Sequence, residues 1–408
     1  MDDADLGLGR LRALAELELP MYLSELAALV GIDSGSYTKA GVDRVGGWVA
    51  GALRDLGAAV RVEPNPDLGD TVVGELRGGG RGRILVIGHL DTVFDPGTAA
   101  ARPFRLAGGR AYGPGVCDMK AGLLSGIHAL RALRAASASD PQWLPCAALT
   151  FVANPDEEIG SPASTPIIRA LAAQHDVALV LEAARANGDI VSARKGNLSV
   201  VLTLHGRSAH AGVEPEKGRS AILEAAHKIV ALHALNGRWP GVTCNVGVVR
   251  GGTRANVVAE ETALEVDLRS PTRADLDSAE AAVRQIAATT GVPDVTCDVE
   301  IRGRHWPMER LAATEALVGT AARIADGLGF ALGDAATGGA SDANTTAGEG
   351  VPSLDGLGPV GGLDHSPDEY IEVDSIVPRV ALVAGLLRAL GSGMVAGLSL
   401  RDAEGGAR

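Results

Sequence analysis

Ile84-Leu85-Val86-Ile87-Gly88-His89-Leu90-Asp91-Thr92-Val93 is the stretch on which the fold turns. Its first four residues are apolar without alternation, so the strand they form has both faces covered. His89 sits at the carboxyl end of that strand, and Asp91 follows two residues later. A carboxylate so close to an imidazole can fix its tautomer and raise its basicity, as happens beside metal-binding histidines. Taken alone, the same pair also reads as a structural histidine closing a strand.

Outward from this strand, helices and strands alternate. Helical spacing covers 9–30 (Leu11, Leu14, Leu17, Leu23, Leu26, Leu29) and 43–57, and strands follow at 58–63 and 71–76. Beyond 84–88 come a helix at 119–135, a strand at 147–153, a helix at 164–174 and a strand at 177–182. Apolar strands between helices predict an α/β domain with a mixed, mostly parallel sheet. After about residue 195 the order becomes strand 198–205, helix 218–234, strands 242–249 and 257–268, helix 272–290 and strand 294–301. That β-α-β-β-α-β order is ferredoxin-like and makes a small α+β domain in itself. Helical patterning resumes at 311–325, so the small domain, 196–308, reads as an insertion into a domain built from 1–195 and 309–408. From Gly391 on, Gly, Ser and Ala predict a loose tail.

A length of 408 residues favours two cores over one. Hydrophobic residues make up 46% but aromatics only 3%, so the interior is built from Ala, Val, Leu and Ile. The formal charge of −13 argues against nucleic acid, which needs a basic face. Cys117, Cys146, Cys244 and Cys297 form no C-x-x-C pair and read as buried free thiols. The acidic start lacks the marks of a signal peptide, and no apolar run is long enough to span a bilayer; the expected location is the cytoplasm, with no membrane partner.

Four more segments carry candidate chemistry. Tyr112-Gly113-Pro114-Gly115-Val116-Cys117-Asp118 places an Asp among glycines at the expected start of a helix, where it could cap the helix or reach two cations, one per oxygen. Asn154-Pro155-Asp156-Glu157-Glu158-Ile159-Gly160 puts adjacent glutamates directly after a buried strand, where one can bind a metal while the other handles protons. Glu182 ends the run Val-Ala-Leu-Val-Leu, a costly place for an unpaired charge. Gly362-Leu363-Asp364-His365-Ser366-Pro367 puts a second histidine in a turn. In open α/β sheets ligands collect beyond the carboxyl ends of the strands. Acidic and imidazole groups gathered there need cations between them; His, Asp and Glu suit zinc, with cobalt or manganese as alternatives.

The ordered series His89-x-Asp91, Asp118, Glu157-Glu158, Glu182, His365 resembles that of the M20 metallopeptidases, from about residue 10 to 390. The resemblance implies a zinc-peptidase-like catalytic domain with an inserted dimerisation or lid domain, and a homodimer through 196–308. It implies two divalent metals, zinc by ligand type, one held by His89, Asp118 and Glu182 and the other by Asp118, Glu158 and His365. Asp118 would bridge, Glu157 would be the general base and Asp91 would orient His89. In the small domain, Ser208-Ala209-His210-Ala211-Gly212 is similar to the motif whose His reaches a partner's active site. Asn256 and Arg269 resemble the family's substrate-binding pair, and Gly338-Gly339-Ala340-Ser341-Asp342 resembles a pocket loop, with Gly339 and Ser341 toward substrate. His210 and Asn256 also read as turn residues, and Arg269 as a salt-bridge partner.

The reaction so implied is hydrolysis of an amide beside a free carboxylate, on a small molecule or short peptide, in the manner of a glutamate carboxypeptidase. An N-acyl amino acid deacylase of acetylornithine or succinyl-diaminopimelate type is the nearest alternative. An aminopeptidase or dipeptidase comes next, then a catalytically silent binding protein on the same scaffold. Glu182 stands where aminopeptidase-like members carry Asp, which favours the carboxypeptidase and deacylase side.

Overall fold

In the computed structural model, Arg83–His89 is a strand whose Ile84, Leu85, Val86 and Ile87 are all buried. The structure describes residues 7–137, 142–395, 397–398 and 400. The acidic start at 1–6 and the end of the tail at 401–408 lie outside the described residues. By contact the chain divides into two units: Met1–Ser192, Arg310–Ala336 and Ser341–Arg408 form one, and Ala193–Glu309 with Thr337–Ala340 form the other.

The first unit holds a six-stranded sheet in the order Ala59–Glu63, Thr71–Arg77, Ala148–Asn154, Arg83–His89, Val177–Val180, Ser353–Leu354. The first two pairings are antiparallel and the remaining three parallel. The strand expected over 177–182 ends at Val180, which leaves Glu182 in the loop beyond it. Helices Leu8–Val30, Ala121–Ala136 and Ile376–Gly391 pack on one another within the core of this unit. With few aromatics to fill space, backbone approaches backbone. A Cβ on Gly122 would lie 1.9 Å from the carbonyl oxygen of Leu181, so only glycine lets helix Ala121–Ala136 sit against the segment that carries Glu182.

Helix Ile376–Gly391 has no counterpart in the sequence reading. It is apolar on nearly every side and almost wholly buried, so it lacks the amphipathic stripe by which helices are recognised. The loose tail expected from Gly391 is corrected over its first residues, 391–395. The Gly391 carbonyl accepts a hydrogen bond from Arg81 N–H at 2.8 Å, and Val395 is buried against the core. Among the cysteines, Cys297 is half-buried and the other three are buried.

A second, smaller sheet of the same unit runs Gly361–Gly362, Tyr370–Glu372, Arg110–Tyr112, Arg105–Ala107, all antiparallel. Its strands have two or three residues, too few to show a period. It pairs the segment leading to Asp118 with the hairpin that holds His365.

The second unit is a four-stranded antiparallel sheet in the order Thr243–Gly251, Glu261–Ser270, Gly196–His205, Thr296–His305. Helices Ala221–His233 and Arg273–Ala288 cover it around a core that includes Leu198, Leu202, Leu264 and Val283. Each helix starts at a hydroxyl cap: Ser220 accepts from Leu223 N–H and Thr272 from Asp275 N–H. This is the ferredoxin-like order. Among the described residues, no helix is long and apolar enough to cross a membrane.

Candidate metal centre

His89 closes the strand Arg83–His89 and stands in register with Asn154, the last residue of the neighbouring parallel strand. Glu157 and Glu158 open a single helical turn just beyond Asn154. Val177–Val180 runs parallel on the other side of Arg83–His89, with Glu182 just past its end. Three parallel strands therefore deliver their following loops to one crevice, the usual ligand position in such sheets. Asp118 arrives from the small sheet. It lies in a non-helical kink before helix Ala121–Ala136, not in the first turn of that helix. His365 sits in the hairpin between Gly361–Gly362 and Tyr370–Glu372.

These side chains converge. The two Asp118 oxygens face different imidazoles: Oδ1 is 2.9 Å from His89 Nε2, and Oδ2 is 3.1 Å from His365 Nε2. His365 Nε2 is also 3.1 Å from Glu158 Oε2, and His89 Nε2 is 3.7 Å from Glu182 Oε1. Ligand atoms of His89, Glu157 and Glu182 lie within 4.8 Å of one another, and so do those of His89, Asp118 and Glu158. Glu157, read from the sequence as a base, thus also stands at ligand distance from two of the others.

Asp91 is buried and serves both sides of the crevice. His89 Nδ1 lies 3.0 Å from the Asp91 carbonyl oxygen and 3.3 Å from Oδ1, which leaves Nε2 for the centre. The same carboxylate accepts the backbone N–H groups of Glu157 and Glu158, each at 3.2 Å, and the Ser36 hydroxyl at 2.7 Å. One side chain thus orients the imidazole and the paired glutamates together.

The electrostatics are those of crowded carboxylates. Burial raises the pKa of Glu157, Glu158 and Glu182 above the usual range, and neighbouring carboxylates add to it. Burial also opposes ionisation of Asp118, but the hydrogen bonds from His365 and His89 outweigh it and hold its carboxyl low. The bonds to Asp118 and then Glu158 raise His365 to about 10. Glu158 Oε1 is buried with no hydrogen-bond partner. An orphaned carboxylate oxygen, two aimed imidazoles and three further carboxylates fit divalent cations, and the N/O donor set suits zinc.

A pH dependence follows for protein stripped of divalent ions. His365, Glu157, Glu158 and Glu182 all have folded pKa values above their unfolded values of about 6.5 and 4.3. Groups raised on folding stabilise fully below the unfolded pKa, and that contribution is lost as pH rises through the folded one. Stripped protein therefore loses Tm steadily between about pH 5 and 10, while cations offset the same charges in loaded protein. The Tm gap between loaded and stripped samples widens with pH; a gap constant from pH 5.5 to 9 would contradict this.

Two further buried carboxylates lie near the centre: Glu369, which the sequence does not single out, and Asp342, which it marks only as the end of a pocket loop. Glu369 accepts N–H bonds from Gly115, Cys117 and Asp118 at 2.9, 2.8 and 3.0 Å. Asp342, raised to about 6 by burial against a bond from Ser161, accepts that hydroxyl at 2.7 Å. Glu369 belongs to an acidic stretch, Asp364, Asp368, Glu369, Glu372, and composition does not mark which member turns inward.

Of the residues read as substrate-binding, Ser341 lies in the first unit and His210, Asn256, Arg269 and Gly339 in the second. Ser341 caps helix Asp342–Gly348 and donates to Asp355 Oδ2 at 2.6 Å. His210 and Asn256 are exposed and adjoin: Ala211 N–H donates to the Asn256 carbonyl at 3.0 Å. Arg269 Nε lies 2.9 Å from Asp267, and its Nη1 donates to the Gly338 carbonyl at 2.7 Å. Gly339 is exposed and its carbonyl accepts from Arg194.

Comparison with known proteins bears on what such a centre does. Residues 85–389 match the model of peptidase family M20/M25/M40. The chain is 29% identical to carboxypeptidase G2 of a Pseudomonas species over 381 residues, 92% of this chain and 91% of that one. It is also 29% identical to acetylornithine deacetylase of Proteus mirabilis over 272 residues, 62% and 68% of the two chains. The crystal structure of aminopeptidase PepT from Bacillus cereus superposes with a TM-score of 0.74 at 25% identity, covering 91% of this chain and 98% of that one.

Proposed function

Because this chain belongs to the M20/M25/M40 peptidase family, we propose that it is a dinuclear zinc enzyme that releases a C-terminal amino acid from N-acyl or short peptidyl substrates. The chain is a metal-dependent hydrolase acting on C–N bonds. The convergence of His89, Asp118, Glu158, Glu182 and His365 at the carboxyl edge of the sheet carries the proposal of two cations.

His89, Asp118 and Glu182 would hold one cation, and Asp118, Glu158 and His365 the other, with Asp118 shared. Divalent cations supply Lewis acidity and make water a nucleophile at neutral pH. Glu157 takes the proton from the attacking water and returns it to the leaving nitrogen. Burial raises its pKa above the ordinary carboxylate range, the direction in which a carboxylate becomes a better proton acceptor. Asp91 holds His89 and the Glu157–Glu158 backbone in place. His210 of a second copy would donate to the developing oxyanion, with Asn256 and Arg269 binding the free carboxylate of the substrate and Gly339 and Ser341 placed toward the substrate. The inserted unit pairs with that of a second copy. Exposed Leu223 and Val230 on helix Ala221–His233 support this assembly, and sedimentation velocity measures it directly.

The likeness to carboxypeptidase G2 over nearly all of both chains favours a carboxypeptidase. The equal identity to acetylornithine deacetylase keeps a deacylase as the second reading. A panel of acyl-glutamates, C-terminal glutamyl peptides, N-acetylornithine, N-succinyl-diaminopimelate and free-amine tripeptides separates them. Acyl-glutamates and glutamyl peptides are expected to lead; a strict need for a free amino terminus would overturn the reading. In the same assay Arg269→Ala raises KM roughly 10- to 100-fold with little change in kcat, the size of a charged hydrogen bond of about 1.5–3 kcal/mol. Unchanged KM would remove Arg269 from carboxylate binding.

A further inference from the structure

We propose that Glu369 is a positioning residue that locks the loop of Asp118 to the loop of His365, and so sets the affinity for the cation those two residues share. The inference rests on the two-cation reading above.

Glu369 is 1% exposed and lies four residues beyond His365, at the close of the same hairpin. Its carboxylate reaches across to the other ligand loop. Oε1 accepts both Cys117 and Asp118 N–H, and Oε2 accepts Gly115 N–H. Three donors from four consecutive residues thus close on one carboxyl group. The loop can present them because Gly115 has φ 72°, a conformation that glycine adopts without strain. The third donor is the amide of Asp118 itself, so the anchor grips the backbone of the shared ligand.

At the other end the hairpin is held through His365 and its neighbours. Ser366 N–H donates to the Leu363 carbonyl at 3.1 Å, and Arg102 Nη1 donates to the Ser366 carbonyl at 3.1 Å. The buried Lys120 ammonium, bonded to the Ile32 carbonyl at 2.9 Å, gives Glu369 a nearby opposite charge. Alongside the small sheet, Glu369 therefore ties the two loops that set the separation between Asp118 Oδ2 and His365 Nε2, with its hydrogen bonds made to backbone N–H groups and to neither of those atoms. Groups that orient metal ligands typically change metal affinity by about 10- to 100-fold when removed.

Glu369→Gln keeps the size of the side chain but turns one acceptor into a donor that faces an N–H. Glu369→Asp keeps the charge and withdraws it by one methylene. Leu386→Ala, a truncation of a buried side chain in the core helix Ile376–Gly391, serves as a control for destabilisation. The test is zinc titration against a chromophoric chelator, with Tm recorded on stripped protein. The expected result is two zinc ions in wild-type protein, and in both Glu369 variants a weaker zinc whose Kd rises about 10- to 100-fold. The tighter zinc changes less, and Leu386→Ala binds both as wild type does. Two zinc ions bound at wild-type affinity by Glu369→Gln and Glu369→Asp overturn the role of Glu369 alone. Weakening equal to that in Leu386→Ala does the same, since it would reflect lost stability. Fewer than two zinc ions in wild-type protein would overturn the two-cation reading first, and this inference with it.

Discussion

Glu157→Gln is expected to turn over about 10²- to 10⁴-fold more slowly than wild type and to keep its full complement of zinc. The magnitude is that of a general acid–base group, and the substitution isolates it. Gln has the shape of Glu and keeps the Glu157 backbone N–H that Asp91 accepts at 3.2 Å, so the turn after Asn154 keeps its anchor. What disappears is the carboxylate that accepts the proton from water and returns it. The zinc content matters as much as the rate, because Glu157 lies within 4.8 Å of ligand atoms of both His89 and Glu182. Were Glu157 a ligand, the variant would lose zinc along with activity. Rate loss at constant zinc, read by elemental analysis beside a kcat measurement, assigns the proton shuttle; joint loss assigns a ligand, and unchanged kcat removes the residue from the chemistry.

How far the sequence speaks depends on how local each signal is. The strand Arg83–His89 and the ferredoxin-like unit are legible because uninterrupted apolar runs and alternating elements carry their own period. The candidate ligand residues are legible because each sits where charge is out of place, at the end of a buried strand or in a glycine turn. Helix Ile376–Gly391 is hidden for the opposite reason: buried on every side, it offers no contrast between faces. The small sheet that joins Asp118 to His365 is hidden because its strands are too short, and Glu369 is hidden with it. Its inward turn depends on N–H groups some 250 positions earlier in the chain, a contact that no window of sequence contains.

Asp118→Asn separates ligand from base in the other direction, with loss of zinc and of activity together. Each Asp118 oxygen faces its own imidazole, at 2.9 Å for His89 and 3.1 Å for His365, so the residue is the hinge between the two groups. An amide keeps one of these oxygens and sets an NH2 in place of the other, which cannot donate a lone pair to a cation. The backbone is spared: Asp118 N–H still reaches Glu369, and Asn matches Asp in volume. Stripped variant and stripped wild type should therefore unfold at similar temperatures, while zinc content falls from two toward one or none. Activity falls by about 10⁴-fold, since a catalytic cation contributes several kcal/mol and each ~1.4 kcal/mol is a factor of ten in rate. Two zinc ions retained in Asp118→Asn would mean that the shared ligand lies elsewhere, and the assignment of His89 and His365 to separate cations would fall with it.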